Sequence, residues 1–469
     1  MSFLTPKQKQ RLIAASLACL GAMGSSYAAV SAAGNMQPPA INGMAQPPVP
    51  PEGKLPPGPP PDGKFGGMQE AKNDAQDLKA TETIDGTARN INEVKLANGN
   101  TDENVLLVRN NGSLTLQGAE LTKSGDSSSA DASNFTGQNA IILVNNSTAE
   151  LENLNLFSDA DGANAIFATG EKAQIQAKHI KIHTRNNSSR GLDATYGGTI
   201  QAEDVDIVTG GAHCGALATD RGEGNVIVND ARIQTSGEGS PCIYSTGNIQ
   251  LTNGTGEARG SEIAVVEGKN SIVLKDSTLT GHVKHGVMLY QSFSGDANVG
   301  IAQFSATNST LNNQSDGPMF YITNTTATAT LENTTLNQSG DILVKVTSDR
   351  WGSEGKNGGD FTLKAKNQLL TGQILANNIS KVTLELGSGS TFTGTINKDY
   401  QAEAANVTLA QDASWNLTAD AYVTTISDAQ QDFGNIQSNK HNIYYDKSAN
   451  PALQEKSLKL PGGGKLMPR

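Results

Sequence analysis

Two short segments of the chain place the same charged residues in the same order. Each has an aspartate directly followed by an arginine within a turn-like stretch: Thr219-Asp220-Arg221-Gly222-Glu223 and Ser348-Asp349-Arg350-Trp351-Gly352. An aspartate beside an arginine can form a surface ion pair that fixes a corner of the chain. It can also hold a sugar, with Trp351 as a stacking platform. The ion pair is the more common use of such residues, and the sugar site stays open as the alternative.

The elements that must position these residues are short strands. From about Asn90 onward, β-branched and aliphatic segments alternate with turns rich in Asn, Gly, Asp and Ser. Nine apolar strand starts follow one another at intervals of 21 to 32 residues, at positions 139, 164, 190, 214, 240, 261, 285, 317 and 341. Many starts are followed by a second strand. Coils of roughly 24 residues with two or three short strands predict an all-β fold, a right-handed parallel β-helix (β-solenoid).

Two prolines support this alignment of the coils. Pro241 and Pro318 are the only prolines between residues 62 and 450, and both occupy the same position in their coils. Proline cannot donate to a strand ladder, so this position is expected to be a corner or a strand start. The extra residues of the longest unit are expected at positions 291–303, where a corner loop can grow without disturbing the stack.

Aligning the coils on their starts predicts one column of residues just past the strand: Tyr196, Asp220, Thr246, Glu267, Gln291, Thr323 and Thr347. Asp220 and Glu267 are then two coils apart, about 9–10 Å, near the carboxylate separation of an inverting glycosidase. A solvated polar corner is the commoner alternative. Aromatic residues lie near the same face, namely Tyr196, Tyr244, Tyr290, Phe320 and Tyr321. Some are expected in the core, and an external row among polar neighbours would make a carbohydrate groove.

The sequence therefore predicts a set of ligand-binding candidates and assigns no catalytic residue. The candidates are Tyr196, Asp220, Arg221, Glu223, Glu267, Tyr290, Gln291, Asp349, Arg350 and Trp351. The segment Asp159-Ala160-Asp161-Gly162 resembles part of a calcium loop but lacks the third acidic position and the distal glutamate of an EF-hand. Calcium therefore stays a weak possibility, and we predict no metal site and no cofactor.

The first 28 residues read as a signal peptide. Lys7, Lys9 and Arg11 form a basic region, residues 12–23 are a short apolar run, and Ser26-Tyr27-Ala28 supplies small residues for cleavage. We expect export to the extracellular space or the cell surface, with the periplasm as a further location. Cys19 offers an alternative as the lipidated residue of a lipoprotein. No later apolar run is long enough for a membrane helix.

Domain boundaries follow from composition. Residues 29–67 form a linker, because 11 of the 17 prolines lie between Pro38 and Pro61, and such a stretch favours an extended spacer. We predict an N-terminal cap with the first strands over residues 68–110 and parallel β-helix coils over 111–376. Residues 377–469 are predicted to hold terminal coils, a C-terminal cap and a tail of poor packing.

Charge and cysteine content limit the possible partners. The net charge is −11 and no basic cluster occurs, which argues against nucleic acid and anionic membrane surfaces. Removal of the signal peptide would leave Cys214 and Cys242. The coil alignment places them on neighbouring coils two positions out of register, about 8 Å apart at Cα, beyond the comfortable limit for a disulfide. A disulfide is possible and not expected.

The signal peptide, the linker and the coils rich in Asn, Thr and Gly resemble the right-handed β-helix proteins of bacterial surfaces. Residues 387–418, with Ser390-Thr391-Phe392-Thr393-Gly394 and later Ala413-Ser414-Trp415-Asn416, resemble the end of an autotransporter passenger. The resemblance implies an adhesin-like protein that binds carbohydrate or another surface component without catalysis. The same fold hosts pectate lyases and polygalacturonases. The alternative is thus a polysaccharide lyase or glycoside hydrolase acting on a polyuronate-type substrate. The oligomeric state is open.

Overall fold

The computed structural model describes residues 77–469. The predicted signal peptide and linker, and the first part of the predicted cap, lie outside the described residues. Within them the prediction of an all-β fold is confirmed, because the chain forms a parallel β-solenoid. The first coil begins at Ala80, so residues 80–98 already belong to the stack.

Sheet A collects one strand from each coil and has fifteen parallel strands. They are β1 (Ala80–Asp85), β4 (Asn104–Arg109), β7 (Ile142–Asn145), β9 (Ile166–Thr169), β11 (Leu192–Thr195), β13 (Leu217–Thr219), β15 (Ile243–Ser245), β17 (Ala264–Glu267), β20 (Val287–Tyr290), β23 (Phe320–Thr323), β26 (Ile342–Val346), β28 (Leu369–Ala376), β30 (Thr391–Ile396), β32 (Ser414–Leu417) and β35 (Ile436–Gln437).

Sheet B supplies the other two faces of the coils up to Gln338, and one further strand in each later coil. Its strands are β2 (Ala88–Asn92), β3 (Lys95–Asn98), β5 (Ser113–Gln117), β6 (Glu120–Lys123), β8 (Thr148–Ser158), β10 (Gln174–Thr184), β12 (Thr199–Thr209), β14 (Asn225–Thr235), β16 (Asn248–Ala258), β18 (Ser271–Lys275), β19 (Thr278–Gly281), β21 (Ile301–Thr307), β22 (Thr310–Asn313), β24 (Thr326–Glu332), β25 (Thr335–Gln338), β27 (Asp360–Lys366), β29 (Lys381–Leu386), β31 (Ala404–Leu409) and β34 (Thr425–Asp428).

The long strands of sheet B bend at one residue. In β8, β10, β12, β14 and β16 this residue has φ between 53° and 59°, namely Asn153, His179, Asp204, Asp230 and Asn253. Asn, Asp and His tolerate this left-handed backbone better than other side chains do. The bend divides each long strand into two legs, which other coils form as two separate strands. The coils up to β25 therefore have the three faces that the sequence predicts, whereas later coils add the single strands β27, β29, β31 and β34 to sheet B.

The core is a stack of aliphatic columns inside the coils. Ile175, Ile200, Val226 and Ile249 follow one another in register, and all four are almost completely buried. Stacking of like residues buries apolar surface, which stabilises the fold by about 25 cal/mol per Å². Each interior strand is hydrogen-bonded to a strand of the neighbouring coil on both of its edges. Pro241 and Pro318 both lie two residues before the corresponding strand positions of β15 and β23. Their shared position is therefore confirmed.

The C-terminal region closes the stack. Sheet C contains β33 (Ala421–Val423), β36 (Ile443–Tyr445), β37 (Leu458–Lys459) and β38 (Lys465–Pro468), and a 3-10 turn spans Pro451–Leu453. The tail was expected to pack poorly, and this expectation is wrong. β38 pairs with β36, and Leu466 is fully buried. Gly462 and Gly463, with φ of 87° and 93°, make the turn that brings the strand back.

One short helix interrupts the coils, and the sequence did not predict it. Helix α1 (Ala130–Thr136) begins at Ser129, whose side chain accepts a hydrogen bond from the Ala132 amide, and ends at Gly137 in the left-handed conformation. Gly137 lies directly against Leu143 and Phe167, which face outward from sheet A. The helix therefore covers part of that outer face. No helix within residues 77–469 has the length and apolar character needed to cross a membrane.

Candidate functional site

The outer face of sheet A carries the predicted column. Thr246 lies opposite Glu267, and Glu267 pairs with Tyr290, which pairs with Thr323. Because alternate residues of a strand point to opposite faces, these residues point away from the core residues Val266 and Leu289. Asp220 directly follows β13 and occupies the same column. The separation of Asp220 and Glu267 by two coils is therefore confirmed.

The predicted alignment is wrong at two positions. Thr195 occupies the place given to Tyr196, since Ala194 pairs with Thr219, and Tyr290 occupies the place given to Gln291. In these two coils the stretch from the apolar start to the column is one residue shorter than in the coils that follow them. Because side chains alternate between the two faces of a strand, a shift of one residue moves each side chain to the opposite face. Tyr196 and Gln291 therefore lie in the turns that follow the strands.

Arg190 joins two aspartates on this face. Its Nη1 lies 2.9 Å from Asp193 Oδ2 and 2.7 Å from Asp220 Oδ2. All three side chains are buried, with Asp193 fully inaccessible. In residues 77–469 neither Asp220 nor Asp349 forms an ion pair with the arginine that follows it. The predicted ion pair within each turn is therefore wrong, because Asp220 points along the sheet toward the neighbouring coil.

Burial controls the protonation of these groups. It raises the pKa of Asp220 to about 7, although Arg190 acts in the opposite direction, and Asp193 raises it further. Burial also raises the pKa of Asp193. Burial acts to lower the pKa of Arg190, but the carboxylates of Asp220 and Asp193 outweigh it and raise that pKa. One guanidinium thus faces two buried carboxylates whose pKa values are both raised, so this pair of aspartates holds a proton more readily than exposed aspartates do.

Glu267 is the acceptor at the centre of a hydroxyl cluster. The hydroxyls of Tyr244 and Tyr290 each donate to its Oε2 at 2.8 Å, and Ser292 Oγ donates to its Oε1. Glu267 is only 1% exposed. Burial, together with the adjacent Glu267, raises the pKa of both tyrosines well above the ordinary value. We call Arg190, Asp193, Asp220, Tyr244 and Glu267 the polar cluster.

A loop over residues 291–299, the covering loop, lies against Glu267, to which Ser292 and Ser294 donate hydrogen bonds. Near its tip, Asp296 Oδ1 accepts hydrogen bonds from Nε and Nη2 of Arg221, at 3.0 and 2.6 Å. The Arg221 guanidinium also lies 3.9 Å above the ring of Phe135 in helix α1. Arg221 therefore connects the two segments that cover sheet A. The predicted extra residues at 291–303 are confirmed as a corner insertion.

Two further candidates support the covering loop. Glu223 Oε1 accepts a hydrogen bond from Asn298 Nδ2 at 2.7 Å and pairs with Lys269 Nζ at 3.0 Å. Gln291 Nε2 donates to the carbonyl of Ala297 at 3.1 Å, which closes the loop on itself.

The Tyr196 ring lies against Gly222. Gly222 has φ of 82°, and a Cβ at this position would lie 2.5 Å from the Tyr196 ring. Only glycine combines that backbone conformation with such a close approach. Tyr196 and Gly222 therefore fix the turn that presents Arg221 to the covering loop.

Aromatic rings project beside the polar cluster. The Trp351 ring lies 5.5 Å from the Tyr290 ring and 6.4 Å from the Phe293 ring, tilted by 50° and 55°. Phe293 is 45% exposed and Trp351 is half-buried. Asn357 holds the turn of Trp351 by donating to the carbonyls of Asp349 and Trp351, at 2.6 and 2.8 Å. We call Tyr290, Phe293 and Trp351 the aromatic platform.

The remaining candidates lie at the edge of this platform. Arg350 stacks on the Trp351 ring at 4.6 Å. Asp349 Oδ2 accepts a hydrogen bond from the Tyr321 hydroxyl at 2.7 Å. Burial acts to raise the pKa of Asp349, but this hydrogen bond, the one from the Arg350 amide and the nearby positive charges together outweigh burial and lower the pKa. The Tyr321 ring stacks on His285 at 4.0 Å. Phe320, in contrast, points into the core.

Sequence reasoning missed several residues of this region. Arg190, Ser292, Asp296, Phe135 and Phe293 each contact a predicted candidate, and Asp193 contacts Arg190. A signal existed for Asp193, a charged residue inside the short apolar strand Leu192–Thr195. The others lie in turns and insertions, whose position over the sheet depends on tertiary packing.

The two cysteines and the segment that resembles a calcium loop lie at turns of the coils. Cys214 and Cys242 are separate buried thiols, with Cys214 aligned with Ser240 rather than with Cys242. Burial raises the pKa of Cys214 to about 11 and that of Cys242 to about 12. The Asp161 carboxylate accepts a hydrogen bond from the Asn187 amide at 3.0 Å. Residues 77–469 contain no group of three or more His, Cys, Asp or Glu placed to hold a metal ion.

Comparisons with known proteins give no assignment for this chain. No protein-family model matches it, and no curated protein matches it. The parallel β-solenoid therefore stands on the structure itself. The likeness to autotransporter passengers, adhesins and pectate lyases rests on sequence pattern alone.

Proposed function

We propose that this protein is an exported, cell-surface or secreted adhesin-like rod that binds carbohydrate, without catalysis, at the aromatic platform. The observation that carries the proposal is Trp351, a half-buried ring held by Asn357 and placed 5.5 Å from the Tyr290 ring. Sugar rings stack on such aromatic faces, while nearby polar groups orient their hydroxyls.

The neighbours of the platform support a sugar ligand. Phe293 and Trp351 leave apolar ring surface accessible, and Arg350 and Asp349 offer a donor and an acceptor at its edge. The rings are tilted rather than stacked flat on one another. A tilted pair leaves more ring face available to a ligand than a closed stack does.

The burial and the protein contacts of Glu267 and Asp220 favour binding over catalysis. Glu267 is 1% exposed, and both of its oxygens accept hydrogen bonds from protein hydroxyls. Asp220 is 4% exposed and paired with Arg190. A general acid or base must come within hydrogen-bond reach of the reacting group. In this closed arrangement the two carboxylates are used to hold the sheet and its covering segments together.

Export belongs to the same proposal. Residues 1–28 have the composition of a signal peptide and residues 29–67 that of a spacer. A spacer of this kind would place the rod away from the membrane or cell wall, where its outer face could meet an external glycan. Fractionation of the producing cells, with detection of the processed N-terminus, tests this part separately.

The test is a glycan and polysaccharide array with the full chain, read for both binding and released products. We expect binding without new reducing or unsaturated ends. Silence against every glycan would refute the proposal and favour a structural role or a protein ligand.

One observation favours a second function, a polysaccharide lyase or hydrolase. The pKa of Asp220 is raised to about 7 by burial, and a catalytic acid works best with a pKa near the operating pH. Under this alternative the array would release products, and the double variant Asp220→Asn with Glu267→Gln would abolish them.

A further inference from the structure

We infer that the covering loop is a lid, that the Arg221–Asp296 contact holds it closed, and that its opening exposes Glu267 to a sugar hydroxyl. This inference rests on the proposed function, because the ligand is the carbohydrate of the neighbouring aromatic platform. It adds a second set of contacts for that ligand and a device that controls access to them.

The covering loop is an insertion that the coil does not require. It lies between β20 and β21, and the units on either side manage the same corner with fewer residues. Its tip is in open space, since a Cβ on Gly295 would have no neighbour within 4 Å. Phe293 and Val299 are 45% and 68% exposed. Other parts of the loop are held on the coil, since Ala297 is 5% exposed and the Asn298 carbonyl accepts a hydrogen bond from the Lys269 amide at 2.9 Å. The exposed tip has fewer packed contacts and opens at lower cost than the coils beneath it.

Side-chain contacts hold the loop across a long stretch of sequence. Arg221 and Asp296 are 75 residues apart, as are Glu223 and Asn298. Arg221 also stacks on Phe135 of helix α1. The Arg221 side chain is 39% exposed and that of Asp296 15% exposed, so solvent reaches this contact. Polar contacts of this kind can break and re-form without disturbing the coil.

Ser292 occupies the place of a ligand hydroxyl. Its Oγ donates to Glu267 Oε1, at the base of the covering loop. When the loop lifts, Glu267 loses this donor and becomes an acceptor without a full set of partners in a largely buried site, which is costly. A sugar hydroxyl is the same chemical group and can replace Ser292 one for one. Tyr244 and Tyr290 stay in place, because both belong to sheet A.

The beginning of the covering loop contains a second polar group suited to this exchange. Gln291 is 8% exposed, and its Oε1 has no hydrogen-bond partner within residues 77–469. Its backbone carbonyl accepts from Asn324 Nδ2 at 2.7 Å, which anchors this end of the loop. A buried amide oxygen without a donor is satisfied by a hydroxyl donor. With the loop open, Glu267 and Gln291 can each accept a hydrogen bond from a ligand hydroxyl. A sugar is rich in such hydroxyls.

The two tryptophans of the chain allow a direct test. Trp351 contacts Phe293 of the covering loop, whereas Trp415 is fully buried in the core and serves as an internal reference. Acrylamide, a neutral quencher, measures the accessibility of each ring in the full chain. Asp296→Asn removes the charge that holds the loop. Asp206→Asn is the matched control, because it breaks the Arg232–Asp206 ion pair on sheet B.

We expect Asp296→Asn to raise the open fraction about fivefold, the effect of losing one partly exposed charged contact. The quenching constant of Trp351 then increases, while Trp415 stays protected and Asp206→Asn behaves like the wild type. Unchanged quenching in a variant with the wild-type melting temperature would overturn the lid. Loss of protection at Trp415 marks misfolding, and Arg221→Gln then replaces Asp296→Asn in the same comparison.

A kinetic measurement tests the exposure of Glu267. Oligosaccharides of cellulose, xylan and polygalacturonate serve as probes, with Asp296→Asn and Ser292→Ala compared against the wild type. We expect association about fivefold faster in both variants. Binding by the wild type with unchanged rates in the variants would overturn the lid and leave the proposed function standing. If no form of the protein binds any glycan of the array while Asp296→Asn raises quenching, the lid stands and the proposed function fails.

Discussion

The Nη1 of Arg190 lies 2.7 Å from the Oδ2 of Asp220, and both side chains are more than 90% buried on the outer face of sheet A. The two residues come from neighbouring coils. The same nitrogen contacts Asp193 at 2.9 Å. This charged group lies outside the aliphatic core, on the face of sheet A that helix α1 also covers, and it links two neighbouring coils.

Arg190→Met should therefore destabilise the protein strongly. Removing one partner of a buried ion pair leaves the other charges uncompensated, at a cost of about 3–5 kcal/mol. Urea denaturation followed by circular dichroism measures the loss. Arg232→Met is the control, because Arg232 is exposed and its ion pairs with Asp204 and Asp206 should contribute about 1 kcal/mol or less. Equal effects of the two substitutions would contradict this assignment.

Asp220 should make stability depend on pH. Its pKa is about 7 in the folded protein and about 3.9 in an unfolded chain, so the folded state binds the extra proton between these values. Stability falls with rising pH wherever the folded state binds more protons. The contribution of Asp220 is therefore complete below about pH 4 and lost as the pH rises through about 7.

Asp220→Asn is expected to remove this dependence. The free energy of unfolding of the wild type, relative to the variant, should decrease steadily between about pH 4 and about pH 8. Denaturation series at several pH values test it, with Asp206→Asn as a surface control. A difference that stays constant across the range would show that Asp220 does not bind a proton when folded.

The two tyrosines that donate hydrogen bonds to Glu267 should have non-additive effects on the free energy of unfolding. Tyr244→Phe or Tyr290→Phe each removes one donor to Oε2, and each should cost about 1–3 kcal/mol because the carboxylate stays buried. The double variant should lose more than the sum of the two, since the second removal leaves Oε2 without either donor. Tyr400→Phe, at an exposed ring, is the control. Strict additivity would argue against a shared acceptor.

The cysteines should react only when the coils open. Cys214 and Cys242 are buried thiols with pKa values raised to about 11 and about 12, and the thiolate is the reactive form. In a Cys19→Ser background, a thiol reagent should label neither residue in the native protein and both after denaturation without reductant. Absence of labelling in the denatured protein would reveal a disulfide.

The architecture could be predicted because it is periodic. Repeated apolar strand starts, at positions 190 and 240 among others, identify the coil, and Pro241 and Pro318 support its register. The column of Asp220 and Glu267 followed from the same repeat. The alignment failed by one residue at Tyr196 and Gln291, since the length of a corner can change without changing the strands that follow it.

The contacts of the site could not be read from the repeat. Asp296 meets Arg221 across 75 residues, and Phe135 reaches the same arginine from a helical insertion. Insertions carry no periodic signal, so nothing in the sequence indicates which coils they cover. The adjacent Asp and Arg of each turn suggested a local ion pair. Instead, Asp220, Arg221 and Asp349 have partners on other coils. Arg350 stacks on Trp351 of its own turn.

The most direct test of the account is the affinity of a glycan from the array for the wild type, Trp351→Ala and Tyr400→Ala. Trp351 forms the aromatic platform, whereas Tyr400 is an exposed aromatic residue near the C-terminal end, stacked on Tyr422. We expect Trp351→Ala to weaken binding by about thirtyfold or more, as for an aromatic anchor at the centre of a site. Tyr400→Ala should bind like the wild type. Unchanged affinity in Trp351→Ala, with the fold intact, would contradict the account.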